Sequence, residues 1–468
     1  MLASQARMKQ LLLAASALAL TAAAPAPVPT TPSPVTVAAL RDDALANDHY
    51  AWDIVEGLTT EVGQRLAATE AEARARDWAV KRLTAMGFAN VHVEPYTMPV
   101  FQRGGESAEI LAPFPQKLVV TALGNSGATQ PEGVTAAIVA FDSIDALKAA
   151  PDEAVRGKIV FVDHHMTANQ DGSGYGQFGQ PRRVGPTIAG KKGALAIVVR
   201  SAGTDHHRYG HTGAQSLDAG VTSIPAGALS VPDAEQLVRI MARGRPVTMH
   251  LTLTPRYIGN GPSGNVVAEV PGRDLSLPAI LVGGHLDSWD LGTGAIDDGA
   301  GVAIATASAK RIMDAGRPLR TIRIVWFGAE EPGLVGAKAY QQAHAADRYL
   351  AVAESDEGAD RVWKIDTKLG AEHQAEADAL VAATAPLGIV KGKTDTASGS
   401  DIEVMLGAGA PGVTFHQDAT RYFDLHHTPD DTLDKIDPVQ LRQNVAAWTT
   451  MLAVLSGGIA GPKRALRR

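Results

Sequence analysis

Acidic and histidine side chains follow several strand-like segments in the second half of this sequence. Each segment is short and apolar, and each is followed at once by groups that can bind a cation or move a proton. A single Asp or Glu is usually a solvated surface residue. Acidic and histidine residues that follow several strands in succession indicate a functional site instead. The residues concerned are His285, Asp287, Asp297, Asp298, Glu330, Glu331, Asp356, His426 and His427.

The segment GAIDDGAG (294–301) places Asp297 and Asp298 side by side among glycine and alanine. Two adjacent carboxylates repel each other unless cations hold them, and the small neighbours permit a tightly bent backbone. Histidine and carboxylate ligands without cysteine suit catalytic zinc. Two neighbouring cations need a shared carboxylate. The pair therefore predicts one aspartate that bridges two cations and a neighbour that braces the loop.

Strand-like and helix-like segments alternate from about residue 262 onward. The strands are AILVGGHLD, TIRIVWFGAEE, YLAVAESD and PGVTFHQ, and GVAIATASAKRIMDAG is a helix between the first two. A last helix begins at Pro438, behind the cap Asp437. This alternation predicts an α/β fold with a mostly parallel, mixed sheet and helices on both faces. Ligands of such sheets bind at the carboxyl ends of the strands, where the candidate residues stand.

Residues 126–255 differ from the rest of the chain. Short apolar runs such as AAIVAF, GKIVFV and ALAIVV alternate with glycine-rich loops, which predicts an inserted α/β module with its own core. The predicted organisation is a signal peptide (1–24), a Pro/Thr linker (25–42), a catalytic domain in two parts (43–125 and 256–458), the inserted domain (126–255) and a tail (459–468).

The composition excludes several classes of protein. The 468-residue chain has a formal net charge of −7 and no long basic run, which argues against nucleic acid as a partner. Cysteine is absent, so disulfides, thiolate zinc sites and a cysteine nucleophile are excluded. Arg7 and Lys9 precede LLLAASALALTAAA, an apolar run shorter than the ~20 residues of a spanning helix. We expect an exported protein, periplasmic or secreted, without a membrane span.

The motifs GGHLDSWD, GAIDDGAG, WFGAEEPGLVGA, AESDEG and HHTPDDT occur in one order within residues 45–455. Together they resemble the co-catalytic di-zinc exopeptidases, which include bacterial leucyl aminopeptidase and glutamate carboxypeptidase. The resemblance implies the zinc-exopeptidase (phosphorylase/hydrolase-like) fold, two Zn2+ per chain and an insertion of the protease-associated type. It also implies a cis peptide between Asp297 and Asp298. By position, it implies that His285 and Asp356 bind one zinc, that Glu331 and His427 bind the other, that Asp297 bridges both, that Glu330 is the general base and that Asp287 orients a ligand.

The implied function is hydrolysis of short, unblocked peptides, above all dipeptides, by zinc-activated water that Glu330 deprotonates. The insertion is expected to cover the side of the site that longer chains would need. Its candidate contacts with a free carboxylate are Arg182, Arg183, His206, His207 and Arg208. The resemblance also implies a homodimer, and a pocket or packing role for His426. Three alternatives stay open: an aminopeptidase with broader length tolerance, a single-zinc acyl transferase like glutaminyl cyclase, and a relative that binds partners without catalysis.

Overall fold

A computed structural model describes residues 36–218 and 220–460, so the predicted signal peptide and most of the predicted tail lie outside the described residues. Two eight-stranded sheets organise these described residues. In spatial order, the first sheet contains Ala89–Gln102, Arg256–Val270, Ile322–Phe327, Ala279–His285, Tyr349–Glu354, Gly412–Gln417, Val362–Lys368 and Val390–Thr394. The second contains Gln116–Leu118, Glu106–Ala112, Thr248–Leu253, Val134–Phe141, Ile159–Val162, Ala196–Arg200, Ala226–Leu229 and Val120–Ala122. A two-stranded ribbon pairs Arg317–Pro318 with Ile459–Ala460.

Helices cover both faces of the first sheet and lie beside the second. The α-helices are Val37–Asn47, Tyr50–Gly57, Glu70–Ala85, Ile144–Ala149, Asp152–Val155, Tyr175–Phe178, Gln180–Arg183, Gly185–Lys191, Val231–Met241, Ala300–Ala315, Val335–Ala343, Gln374–Thr384, Glu403–Gly407, Tyr422–Leu425 and Pro438–Leu455. Short 3₁₀ turns occupy Ala371–His373, Ala385–Leu387 and Leu433–Lys435. Turns of the π-helical type lie at Leu58–Val62 and Ala295–Gly299.

The centre of the first sheet is parallel and its margins are antiparallel. Strand Ala279–His285 pairs in parallel with Ile322–Phe327 on one side and with Tyr349–Glu354 on the other. The outer strands Ala89–Gln102 and Arg256–Val270 run antiparallel to each other. This architecture confirms the predicted mixed α/β sheet. Because parallel strands end at the same edge, the residues that follow the three central strands come together there.

Alternation along the central strand explains why helices lie on both faces. Ile280 and Val282 belong to the apolar core that contains the helix Ala300–Ala315. Leu281, between them, belongs to the core that includes residues of the helix Val335–Ala343. Successive strand residues point to opposite faces, so a strand that is apolar throughout requires a cover on each side. Full burial of each such side chain contributes roughly 1.5–3 kcal/mol.

The helix Val37–Asn47 begins within the range that was predicted as linker (25–42). Thr36 caps it by accepting a hydrogen bond from the backbone N–H of Ala39 at 3.1 Å. Leu40 and Ala44 are buried on its inner face. The packed part of the chain therefore starts before residue 43, because this face joins the main core.

The second sheet lies in the region that was predicted as an insertion, but its strands begin earlier, at Glu106, and end at Leu253. Helix Val231–Met241 packs with one apolar cluster of this region. Helices Ile144–Ala149 and Gly185–Lys191 contribute to a second cluster. Within residues 36–218 and 220–460, no helix combines the length and the apolar character that a membrane span requires.

Candidate metal centre

The first group of candidate ligands is His285, Asp297 and Asp356, and one ligand atom from each lies within 4.8 Å of the others. His285 is the last residue of its strand. Its Nε2 lies 2.9 Å from Asp297 Oδ1 and 3.5 Å from Asp356 Oδ1. Its Nδ1 faces the backbone carbonyl of Asp287 at 2.9 Å. That carbonyl fixes the ring so that Nε2 points to the two carboxylates.

The second group is Asp297, Glu331 and His427, again with one ligand atom each within 4.8 Å of the others. His427 Nε2 lies 3.1 Å from Asp297 Oδ2 and 3.0 Å from Glu331 Oε2. The two oxygens of Asp297 therefore face different histidines, Oδ1 toward His285 and Oδ2 toward His427. One carboxylate between two imidazoles is the arrangement that a bridging ligand requires.

Asp298 braces the turn that presents Asp297. Its Oδ2 accepts a hydrogen bond from the N–H of His285 at 3.0 Å, and its Oδ1 accepts one from the N–H of Gly301 at 2.9 Å. The peptide between Asp297 and Asp298 is cis, as the family resemblance implies. A Cβ on Gly301 would lie 1.8 Å from the carbonyl oxygen of Ser355, so only glycine fits at that position.

Glu330 and Glu331 are positioned through their backbone by Asp287. The Asp287 carboxylate accepts hydrogen bonds from the N–H of Glu330 at 3.0 Å and from the N–H of Glu331 at 3.3 Å. Its Oδ1 lies 3.7 Å from His285 Nδ1. Asp287 therefore orients His285 through its carbonyl and the two glutamates through its side chain.

The charges at the centre perturb one another strongly. Burial opposes ionisation of Asp297, but hydrogen bonds from His285 and His427 outweigh it and hold the pKa of Asp297 well below its usual range. Burial raises the pKa of Glu330 well above its usual range, and repulsion from Asp356 and Glu331 adds to the rise. The residue proposed as a base thus holds a proton more readily than a free glutamate does, which suits an acid–base role.

The spacing of the ligand atoms fits zinc. A tetrahedral ion with ligands at ~2.0–2.1 Å places neighbouring ligand atoms about 3.3 Å apart. The distances of 2.9 and 3.5 Å in the first group bracket that value, and those of 3.1 and 3.0 Å in the second lie just below it. Glu331 Oε1 is also buried without a hydrogen-bond partner in the described part of the chain, which leaves it available to a cation. The residues present therefore fit two cations that share Asp297.

The inserted region contacts His427 directly through its backbone. The carbonyl oxygen of Thr212 lies 3.3 Å from His427 Nδ1, and the N–H of Thr212 donates to the carbonyl of His427 at 3.0 Å. Arg182 donates to the same Thr212 carbonyl at 3.1 Å. With a cation on Nε2, Nδ1 would carry a proton that the Thr212 carbonyl accepts, and Arg182, 3.1 Å from the same nitrogen, would have to turn away.

A third cluster contains His211, His426 and His427. His426 is buried between the imidazole of His211 at 3.3 Å and the hydroxyl of Tyr175 at 3.2 Å. The Arg182 guanidinium lies 3.1 Å from His427 Nδ1 and opposes a further cation there. Burial, together with the charge of His427, holds the pKa values of His211 and His426 well below their usual range. We therefore interpret His211 and His426 as neutral residues of the pocket wall.

Of the five residues suggested for carboxylate binding, Arg182 reaches the centre, as described above. The other four point elsewhere. Arg183 donates to the carbonyl of Gly176, and His206 is exposed. His207 faces Tyr209, and Arg208 pairs with Asp233 at 3.0 Å.

Two contributors to the centre were missed from the sequence. Buried Arg65 donates to the carbonyls of Leu286, Thr293 and Gly294 at 2.5, 2.7 and 2.7 Å, which ties the strand end to the loop before Asp297. No sequence pattern distinguishes this arginine from a solvated one. Thr212 acts through backbone atoms that any residue carries.

A sheet that gathers two histidine–carboxylate groups around one shared aspartate defines a metalloenzyme of the α/β class. Residues 265–452 match the profile of Peptidase family M28. Carboxypeptidase Q from Mus musculus is 34% identical over 402 residues, covering 85% of this chain and 84% of its own length. Carboxypeptidase Q from Homo sapiens is 35% identical with the same coverage. The chain belongs to peptidase family M28, and it is a metallopeptidase.

Solved structures agree with that assignment. The peptidase M28 precursor from Shewanella amazonensis SB2B is 43% identical, with a TM-score of 0.86 over 92% of this chain and 98% of its own. An aminopeptidase from Aneurinibacillus sp. strain AM-1 is 20% identical, with a TM-score of 0.63 over 92% and 98% of the two chains. The second likeness shows the shared fold.

Proposed function

We propose that this protein is a di-zinc exopeptidase that hydrolyses short, unblocked peptides, principally dipeptides. The observation that carries the proposal is Asp297, whose two carboxylate oxygens face His285 at 2.9 Å and His427 at 3.1 Å. One zinc would be held by His285, Asp356 and Asp297, and the other by Glu331, His427 and Asp297. Carboxypeptidase Q relatives and a zinc aminopeptidase of this fold from Bacillus subtilis support the metal and the reaction class.

Zinc in this centre supplies an acidic water and a Lewis acid for the peptide carbonyl. Glu330 takes the proton of the attacking water and delivers it to the leaving amine. Burial raises the pKa of Glu330 and so favours its uptake of that proton. Asp287 holds Glu330 in place through the backbone N–H, and Thr212 holds His427 through its carbonyl.

Preference for dipeptides follows from the inserted region, which we interpret as a lid of the protease-associated type. Its Tyr175, Arg182 and Thr212 lie around His426 and His427, so a long chain that left the centre on this side would collide with them. Arg182 is charged and its Nε is buried without a partner among the described residues. It is the group best placed to meet the carboxylate of a short substrate.

Export and dimer formation belong to the same proposal. The predicted leader at residues 1–24 supports a mature protein that begins near residues 23–27 and acts in the periplasm or outside the cell. The dimer rests on the family resemblance. Mass spectrometry of the exported protein tests where the mature chain begins. The molecular mass of the protein in solution tests whether it forms a dimer.

The direct test of the reaction is Glu330→Gln, with Glu153→Gln, an exposed residue of the inserted region, as the matched control. The variant should bind two zinc ions and lose hydrolysis of dipeptides by ~10²–10⁴-fold, because only the proton carrier is removed. The control should keep both properties. Near-normal turnover by a folded, zinc-loaded Glu330→Gln protein would refute the role of Glu330.

A further inference from the structure

We propose that an apolar cavity beside Trp289 binds the side chain of the substrate residue that follows the scissile bond. The enzyme then prefers dipeptides whose second residue is large and apolar. This inference rests on the proposed function and adds a substrate class to it. The cavity has a volume of 210 Å³, and its main lining residues are Leu66, Met98, Phe101, Trp289, Pro332 and Val335.

The cavity adjoins one half of the metal centre. Pro332 follows the candidate ligand Glu331 in the chain, and the ring of Trp289 lies 6.0 Å from the ring of His427. A substrate whose carbonyl lies between the two metal positions therefore has this cavity on the side of Glu331 and His427.

The other half of the centre has the opposite chemistry. A cavity of 290 Å³ beside Asp356 is lined by the carboxylates of Glu357 and Glu403 and by hydroxyls of Ser398 and Ser400. Glu357 Oε2 is buried and has no hydrogen-bond partner among the described residues. Carboxyl and hydroxyl oxygens of this kind accept hydrogen bonds from the ammonium group of an unblocked peptide. With the amino terminus on the Asp356 side, the leaving residue lies on the Trp289 side.

The Trp289 cavity is preformed and suited to apolar groups. Phe101 packs edge-to-face against Trp289, with ring centroids 6.4 Å apart, and Arg103 holds the neighbouring Asp290 through both of its oxygens. None of the residues that line the cavity is charged. A charged side chain would lose its hydration there without a counter-ion, whereas an apolar one gains by burial.

The test compares dipeptides on the zinc-loaded, full-length protein. Ala-Leu and Ala-Phe should exceed Ala-Gly and Ala-Asp in kcat/KM by roughly 10- to 100-fold, as expected for burial of one large side chain. The reversed peptide Leu-Ala should gain little over Ala-Ala. A gain for Leu-Ala and none for Ala-Leu would overturn the inference, because the cavity would then hold the amino-terminal residue.

A variant places a charge in the cavity. Val335→Asp adds a carboxylate at the first residue of the helix Val335–Ala343, where the helix dipole favours it. It should lower kcat/KM for Ala-Leu and raise it for Ala-Lys, so that their ratio inverts. Val439→Asp is the matched control, because Val439 is half exposed in the first turn of another helix, Pro438–Leu455, and should leave the ratio unchanged.

The outcomes separate this inference from the proposed function. If the zinc-loaded protein hydrolyses no dipeptide, the proposed function fails. If it hydrolyses all of these dipeptides at similar kcat/KM, or if Val335→Asp leaves the ratio as it is, the exopeptidase assignment stands and the role of the cavity is refuted.

Discussion

The contact between the inserted region and His427 predicts a large effect for a very small change, Gly213→Ala. Gly213 follows Thr212 and has φ +129°, a conformation that favours glycine. A Cβ at this position would lie 1.6 Å from Arg182 Nη1 and 2.8 Å from His427 Nδ1. Neither distance is tolerable, so alanine must displace the Thr212 carbonyl, the arginine or the histidine ring.

The expected magnitude follows from the bond that is lost. Nδ1 of His427 is 3.3 Å from the Thr212 carbonyl, and such outer partners of a metal-binding histidine are worth about 10- to 100-fold in metal affinity. That factor corresponds to ~1.4–2.7 kcal/mol. The binding of the zinc held by Glu331 and His427 should weaken by this amount. The zinc held by His285 and Asp356 should change much less, because that group does not touch Thr212.

The assay is a titration of the two bound zinc ions with a chelator, followed by the metal content at each step. Gly157→Ala is the matched control, since Gly157 has φ +73° but a Cβ there would meet nothing within 4 Å. This control measures the effect of alanine at a positive φ where the added Cβ collides with no neighbouring atom. If Gly213→Ala releases both zinc ions as the wild type does, the contacts of Thr212 and Arg182 with His427 do not support its zinc and the reasoning is refuted.

Three further predictions concern the centre and its support. Asp287→Asn should keep two zinc ions but lose activity about 10- to 100-fold, because an amide cannot accept from both Glu330 and Glu331; unchanged kcat would contradict this. Burial and repulsion from Glu354 hold the pKa of Asp401 well above its ordinary 3.8, so the folded, metal-free protein keeps a proton that the unfolded chain releases. The unfolding free energy of the metal-free protein should therefore fall as the pH rises above 3.8. Denaturant titrations at several pH values should show a smaller fall for Asp401→Asn than for the wild type. The same dependence on pH in both proteins would contradict this prediction. Zinc at about 100 times its Kd should stabilise the protein by ~2.7 kcal/mol per site, measured as a rise in Tm over the chelated protein; no rise would contradict it.

The residues at the ends of the central strands could be predicted because their positions follow from local patterns. Apolar runs fix where Ala279–His285 and Ile322–Phe327 lie, and parallel pairing then carries His285 and Glu330 to one edge of the sheet. The role of Asp298 as a brace was also foreseeable, since two adjacent carboxylates cannot both face the same cations.

The support of the centre could not be predicted because it depends on contacts between distant parts of the chain. Arg65 binds carbonyls more than 220 positions away, and Thr212 meets His427 across a separation of 215. Backbone carbonyls occur at every residue, so composition and spacing give no signal for them. The start of the second sheet at Glu106 was missed for a similar reason, because strand Glu106–Ala112 pairs with the distant Thr248–Leu253.

The central claim is that Asp297 joins two zinc sites, and anomalous diffraction at the zinc edge from crystals of the zinc-loaded protein tests it most directly. The account predicts two peaks about 3.5–4 Å apart, one beside His285 and Asp356 and the other beside Glu331 and His427, with Asp297 between them. A single peak, or a second peak on the far side of His427 at His211 and His426, would contradict it.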